Sequence, residues 1–310
     1  MNTTSDCDFS SLNDVLNQAA IQNTNLTDLV QKCQNICGLV WGTGNPDLSG
    51  IGAEVSYIIQ VIFVVIFGPL FSFLYGLRGS PKDSSKSPLV KLHDAFVDSN
   101  AVFTISISIA ALVRIKQDAP LYELSFLLSL TSMQFLGLLT VIITSMVTNP
   151  REEQDETKKR IRYLIMYSLL DFGLYAAFLG LLQASQNSWA SGRELGVVCQ
   201  GYGTILPGFT SGKPVYSTTA EVIGLLLAGL SIAIVAYLAK REFTTKKPLH
   251  LGIIIVSLGL TSGTIFFLVQ MQHRRDVMKS LAGSDFVDNE WGFGQVLALF
   301  IWVSFLIDGI

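Results

Sequence analysis

The stretch RYLIMYSLLDFGLYAAFLGLLQ, residues 162–183, carries a single acidic residue, Asp171, within a mostly apolar run. Nine residues of the stretch precede Asp171 and twelve follow it. A helix that crosses a bilayer needs about 20 mostly apolar residues, so this length predicts a transmembrane helix. The carboxyl group of Asp171 would then lie near the middle of the bilayer, where an ionisable side chain is costly.

The rest of the chain has the same character. Only 15% of its 310 residues are charged, against about 25% in an ordinary soluble domain. Lipid requires every backbone polar group to be bonded within its own segment, so runs of spanning length predict helices. We predict an all-α, polytopic membrane protein with a polar, cysteine-containing tail at 1–50 and a seven-helix domain at 51–310. The seven predicted spans are 51–77, 96–115, 121–147, 161–183, 219–239, 249–272 and 291–308.

The basic residues are distributed unequally over the two sides of this predicted bundle. If the N-terminus is outside, 13 of the 21 Lys and Arg residues lie in inner loops and 8 lie on the outer side. Basic residues near spans favour the cytoplasmic side. We therefore expect the N-terminus outside and the C-terminus inside, in the plasma membrane or a membrane of the secretory pathway.

The four cysteines all fall on the predicted outer side: Cys7, Cys33 and Cys37 in the tail, and Cys199 in the long loop after the fourth span. An even number in an oxidising compartment indicates two disulfides, with three possible pairings. If all four are paired, one bridge must join Cys199 to the tail. Four free thiols are the alternative. A zinc site is not expected, because the Cys33–Cys37 pair has no second pair and no nearby histidine.

Two N-glycosylation sequons begin at Asn2 and Asn25 in the same tail. Glycosylation of such sequons takes place on the extracytoplasmic side, so they agree with an outer N-terminus and predict a glycoprotein. Short sequons also arise by chance, and they add only modest weight.

The helical neighbours of Asp171 are polar or aromatic. Residues three and four positions away on a helix share its face, and here they include Tyr167, Ser168 and Tyr175. This face is expected to point into the bundle, where hydroxyl groups can bond the carboxyl group. Its candidate partners across the interface are side chains of the second and third spans, namely Asn100, Thr104, Ser108 and Gln134.

Two roles for Asp171 remain open at this stage. No Lys or Arg lies deep in a predicted span to neutralise it, and no second acid lies at its depth, which favours a protonated, structural carboxyl group. The other role is chemical, as a proton, ligand or catalytic group, and intramembrane acids often have such roles. The candidate binding residues are Asp171, Tyr167, Tyr175, Asn100 and Gln134, and Asp171 is the candidate catalytic residue.

Glycine and proline mark positions where helices bend or approach each other. Gly68 and Pro69 lie well inside the first span and predict a kink there. Gly259 and Gly263 form a GxxxG spacing in the sixth span, which lets two helices pack closely. Residues 173–180 of the fourth span repeat the small-residue spacing.

Two segments carry a resemblance to known proteins: GNPDLSGIGAEVSYIIQ at 44–60 and NEWGFGQVLALFIWV at 289–303. Together with the second and third spans they resemble a large group of seven-helix membrane proteins of filamentous fungi. The marks of that group are an Asn-Pro-Asp…Gly-Ile-Gly entry to the first helix and a Trp-x-Phe-Gly-Gln start to the last. The resemblance implies a topology and a fungal source, and it implies no particular activity.

Several function classes lack their signatures. The third and last spans lack the motifs of rhodopsin-like receptors, and the last span has no lysine for a retinal Schiff base. Neither a cofactor fingerprint nor a basic footprint for nucleic acid is present. We expect receptor-like recognition of a small lipophilic ligand or a partner at the outer face, with the bilayer as the other partner. The alternatives are an intramembrane enzyme acting on an isoprenoid-type substrate through Asp171, and a channel or transporter.

Overall fold

The structure is a computed structural model that describes residues 7, 9, 12–33, 36–42, 44–78, 88–117, 119–148, 154–184, 247–282, 286–289 and 291–308. These residues form helices and no strands, as predicted. The predicted fifth span at 219–239, the loop that precedes it, Cys199 and Asn2 lie outside the described residues.

The N-terminal tail folds into three short helices, α1 (Leu12–Gln22), α2 (Leu26–Lys32) and α3 (Ile36–Trp41). We call residues 7–41 the N-terminal cap, and the end of the bundle that carries it the cap face. The side chains of Val15, Ile36 and Val40 are fully buried, in the same apolar core as Tyr57 of the first membrane helix. The cap is therefore packed onto the bundle rather than tethered to it.

A disulfide between Cys7 and Cys33 holds the cap, with Cα atoms 5.4 Å apart. Cys37 is also in a disulfide. The predicted bridge from the tail to Cys199 stays a prediction. Because Cys7 and Cys33 are bonded to each other, a disulfide from the tail to Cys199 would have to be formed by Cys37.

The bundle follows the cap, and five of its helical stretches are long and apolar enough to cross a membrane. The protein is therefore a multi-pass, all-helical membrane protein; the prediction of seven spans and of their orientation stays a prediction. The five stretches are Pro46–Leu74, Pro88–Ile115, Leu121–Ser145, Lys159–Leu182 and Gly252–Asp276. The helices are α4 (Pro46–Ser49), α5 (Ile51–Val65), a π-helical turn (Ile66–Leu70), α6 (Phe71–Arg78), α7 (Pro88–Ile115), α8 (Leu121–Thr148), α9 (Gln154–Ala184), α10 (Lys247–Ala282), a 3₁₀ turn (Val287–Asn289) and α11 (Phe293–Asp308).

Several helices extend beyond the apolar runs that predicted them. Helix α7 begins at Pro88 instead of residue 96, and α10 continues to Ala282 instead of 272. Apolarity marks only the part of a helix within hydrocarbon, and charged turns continue into water. One consequence is that His93, which sequence placed outside a span, lies in α7, fully buried and stacked on Phe71 with ring centroids 4.5 Å apart.

Helix α8 is the centre of the bundle. In its most apolar 18-residue stretch 94% of the residues are buried, against 33% for α9 and 28% for α10. It packs against α5, α7, α9 and α10, whose outer faces carry exposed apolar side chains suited to lipid. The largest of these on α7, α9 and α10 are Val102, Ile109, Val113, Tyr163, Met166, Leu169, Leu170, Ile255, Leu258, Ile265, Phe266 and Val269.

The predicted kink at Gly68 and Pro69 is confirmed. Gly68 has non-helical backbone angles, φ −88° and ψ −106°, within the π-helical turn. A Cβ atom on Gly68 would lie 2.7 Å from the side-chain methyl of Thr140, so glycine is required for the close approach to α8. Gly263 of the predicted GxxxG lies similarly against Leu136, whereas Gly259 has no described neighbour there within 4 Å.

Ion pairs join the helix ends. The guanidinium of Arg160 on α9 donates to both carboxylate oxygens of Asp98 on α7, at 2.7 and 2.8 Å. At the cap face Arg114 donates to both oxygens of Glu123, at 2.6 and 2.9 Å, and thus joins the end of α7 to the start of α8.

Candidate functional site

Four buried polar side chains form a network in the middle of the bundle. Gln60 on α5 and Gln134 on α8 exchange hydrogen bonds: the amide nitrogen of Gln60 donates to Gln134 Oε1 at 2.6 Å, and that of Gln134 donates to Gln60 Oε1 at 2.8 Å. Gln60 also donates to Asn100 Oδ1 at 2.8 Å, and Thr104 donates to Gln134 Oε1 at 3.0 Å. All four are at most 2% exposed. The network joins α5, α7 and α8.

This network changes the expected surroundings of Asp171. Asn100, Thr104 and Gln134 were among its predicted partners. Asn100 and Gln134 bond instead to Gln60, which sequence analysis did not single out, and Thr104 bonds to Gln134. Gln60 gives the same signal as Asp171, a lone polar group within a long apolar run. Helical periodicity predicts the face on which a residue lies, but it does not predict which residue of another helix it meets.

Asp171 is 2% exposed and lies on the buried face of α9, as predicted. Its Oδ1 atom and the hydroxyl of Ser168, one turn away, have no hydrogen-bond partner among the described residues. The other predicted neighbours differ: Tyr175 shares a hydrogen bond with Ser132 at 3.1 Å and stacks on Phe135, and Tyr167 is half-buried. A buried carboxyl oxygen without a partner costs free energy, so the structural role expected for Asp171 loses its main support.

At the cap face the two segments that carry the fungal resemblance pack against each other. The side chain of Gln295 on α11 donates to the carbonyl oxygen of Pro46 at 2.6 Å and accepts from the backbone N–H of Gly52 at 2.7 Å. The N–H of Gly52 belongs to the first turn of α5, where backbone donors lack helical partners. A Cβ on Gly52 would lie 2.6 Å from the ring of Trp291. The glycine thus lets α11 approach α5.

A charged cluster lies beside this contact. Asp288 is fully buried and accepts hydrogen bonds from the hydroxyls of Ser49, at 2.5 Å, and Tyr122, at 3.1 Å. Arg275 on α10 donates to the carbonyl of Ser49 at 3.0 Å and to Glu54 at 2.8 Å. Burial raises the pKa of Asp288, and the two hydroxyls and Arg275 offset part of that rise. The cluster connects α4, α5, α8 and α10 to the turn before α11.

A cleft of about 410 Å³ opens between the N-terminal cap and the bundle. The segment between cap and bundle lines one side, and it contains Gly42 and Gly44 with φ of +77° and +103°, a region that favours glycine. Glu123, the charged side chain among the described lining residues, bonds Arg114 and receives a hydrogen bond from Asn45 at 3.4 Å. The lining residues are Phe9, Gly38, Leu39, Gly42, Gly44, Pro120 and Glu123.

The described residues in these places offer binding and proton exchange. No group of three or more His, Cys, Asp or Glu side chains able to hold a metal ion occurs in the described part of the chain. The cleft offers apolar walls, glycine backbone and one carboxylate. The membrane interior offers the carboxyl group of Asp171 beside the hydroxyl of Ser168.

Comparison with known proteins identifies no relative. No protein-family model, curated protein or solved structure matches the chain. The likeness to fungal seven-helix proteins therefore stays an expectation from the sequence segments at 44–60 and 289–303.

We expect Asp171→Asn and Asp171→Leu to leave the Tm of the purified protein unchanged or raised, because Oδ1 gives up no hydrogen bond in the described structure. Tyr175→Phe on the same helix is the matched control: it removes the hydrogen bond to Ser132 and should destabilise the fold by about 1 kcal/mol. A large loss of Tm in Asp171→Leu would contradict this expectation and restore the structural role.

Stability should also depend on pH through Asp288. Its pKa is raised in the fold, which means that the folded state favours the protonated carboxyl group of Asp288. This contribution to stability is fully present below the unfolded pKa of Asp, about 3.9, and is lost as the pH rises through the folded pKa. In Asp288→Asn this loss should disappear, so the difference in Tm between wild type and variant should change with pH. The control is Asp276→Asn, an exposed acid on α10, whose Tm should follow that of wild type. Parallel curves for wild type and Asp288→Asn would refute the assignment.

Proposed function

We propose that the protein is a receptor-like sensor that recognises a small ligand or a partner at the cap face. The cleft between the N-terminal cap and the bundle is the observation that supports this function best. Its volume of about 410 Å³ lies within the range of small-molecule sites, roughly 300–1,000 Å³. In this proposal the N-terminus faces the outside of the plasma membrane or the lumen of a secretory-pathway membrane, and seven helices span the bilayer of a fungal cell.

The ligand chemistry follows from the lining. Phe9, Leu39 and Pro120 supply apolar contact, and the three glycines add no side chain. Among the described lining residues Glu123 is the ionisable one, and its carboxylate already binds Arg114. A small, mostly lipophilic molecule with one or two polar groups fits this lining better than a strongly charged one.

A sensor must transmit ligand binding from the cleft to the helices of the bundle. Gly44 lines the cleft and lies directly against the buried Asp288 side chain, which bonds Ser49 and Tyr122. Tyr122 is in the first turn of α8, the central helix. A ligand that moves the segment at 42–44 would thus act on α4 and α8 through Asp288.

An intramembrane enzyme is the second candidate, because the carboxyl group of Asp171 lies buried beside the unbonded hydroxyl of Ser168. Buried groups kept without partners are more readily explained by function than by stability. In this alternative Asp171 donates a proton to a lipophilic, isoprenoid-type substrate that enters from the bilayer.

The two candidates can be separated by a thermal-stability screen of the purified protein with a library of small lipophilic compounds. Gly38 borders the cleft and has open space at its Cβ position, so Gly38→Phe should fill the cleft without straining the fold. Compounds that raise the Tm of wild type should bind Gly38→Phe at least about tenfold more weakly, a loss of roughly 1.4 kcal/mol. Their effect should persist in Asp171→Asn.

Ala20→Phe is the matched control, because it adds the same ring to an exposed position of the N-terminal cap. A library without any stabilising compound would count against the sensor. Compounds that still raise the Tm of Gly38→Phe but do not raise that of Asp171→Asn would contradict binding in the cleft and favour the enzyme.

A further inference from the structure

The kink in the first membrane helix interrupts the helical backbone within the membrane. Gly68 is non-helical and fully covered by protein, and Pro69 has no N–H, so a carbonyl oxygen of the preceding turn loses its helical donor. At membrane depth, irregular backbone is tolerated only where it is buried in protein or lines a site. The kink therefore interrupts the regular hydrogen bonding of the helix at a position that is buried in protein.

Two hydroxyls of α10 converge on this kink. Ser257 and Thr261 are 0% and 4% exposed, and neither hydroxyl has a hydrogen-bond partner among the described residues. A Cβ atom on Gly68 would lie 3.4 Å from Ser257 Oγ and 3.8 Å from Thr261 Oγ1. Both oxygens thus point at the non-helical glycine.

This orientation is not the usual one for hydroxyls on this helix. Ser262 and Thr264 each bond the carbonyl oxygen four residues earlier, at 2.8 and 3.0 Å. That bond normally satisfies Ser and Thr inside a helix. Ser257 and Thr261 do not form this bond, although both are buried and an unpaired hydroxyl costs free energy in a buried position.

The remaining wall is close and apolar. The methyl group of Thr140 on α8 would lie 2.7 Å from a Cβ on Gly68, while its hydroxyl turns away to the carbonyl of Leu136. Gly68, Thr140 and the two hydroxyls are closely packed, so a ligand between them must be very small. Of the three heavy atoms nearest to that Cβ position, the two polar ones are hydroxyl oxygens.

We propose that the kink at Gly68, with Ser257 and Thr261, forms a binding site for a small monovalent cation, Na⁺. Hydroxyl and carbonyl oxygens replace the hydration shell of such an ion, and unwound segments of broken membrane helices coordinate Na⁺ in this way. Divalent cations take carboxylate ligands, and no acid lies among the residues that converge on Gly68. The ion would hold α10 against the kinked helix. This site is separate from the cleft, and it does not depend on the sensor proposal.

The test measures the Tm of the purified full chain in choline chloride, with Na⁺ or K⁺ replacing choline at constant ionic strength. Wild type should be stabilised by Na⁺ in a saturable way; at one hundred times the dissociation constant the folded state is favoured by a factor of about one hundred. Ser257→Ala with Thr261→Val should abolish the Na⁺ effect. Thr264→Val, whose hydroxyl bonds Leu260 instead, should keep it.

Direct binding of radioactive ²²Na⁺ to wild type and to the single variant Ser257→Ala covers the case in which the double variant does not fold. Saturable binding to wild type, weakened about tenfold or more in Ser257→Ala (roughly 1.4 kcal/mol), supports the site. Absence of ²²Na⁺ binding, equal Tm in Na⁺ and choline, or a Na⁺ effect that survives in the double variant would each overturn it, and a buried water would then satisfy the two hydroxyls.

Discussion

The paired side-chain amides of Gln60 and Gln134 fix how α5 lies against α8. Apolar side chains gain little by leaving lipid for another helix, so helix association in a membrane depends on packing and on hydrogen bonds between helices. An amide left unbonded in hydrocarbon costs several kcal/mol. With Asn100 and Thr104 bonded to the same pair, a shift in the register of α5, α7 and α8 would break several of these bonds at once.

The cap face depends on that register. Once α8 is fixed, its first three turns present Tyr122, Glu123 and Ser129 to the end of the bundle, where they bond Asp288, Arg114 and Arg274. Fixing α5 likewise places Gly52 where Gln295 of α11 can bond it. The N-terminal cap packs on this assembled surface, and the cleft is the space left between them.

Much of this arrangement follows from the sequence in simple steps. Run length predicts helices, and Gly68 and Pro69 predict the kink. The buried face of Asp171 follows from helical spacing. Each of these depends on residues close together in the chain or on a property of one helix.

Contacts between distant segments could not be predicted in this way. Gln60 and Gln134 are 74 residues apart, and nothing in either span identifies the other as its partner. The hydrogen bond between Gln295 and Gly52 joins the two segments that carry the fungal resemblance. The motifs in these segments do not predict that the segments are in contact. The pairing of Cys7 with Cys33 was one of three possibilities that spacing alone left open.

A double-mutant cycle on Gln60 and Gln134 tests most directly whether the amide pair sets the architecture. The free energy of unfolding would be measured in a bilayer mimetic for wild type, Gln60→Leu, Gln134→Leu and the double variant. Each single variant removes both bonds of the amide pair, leaves the other glutamine with only its bond to Asn100 or Thr104, and should cost about 1–3 kcal/mol. The double variant should cost clearly less than the sum, with a coupling of about 0.6 kcal/mol or more. Strictly additive losses, or single variants as stable as wild type, would contradict the central place given to this pair.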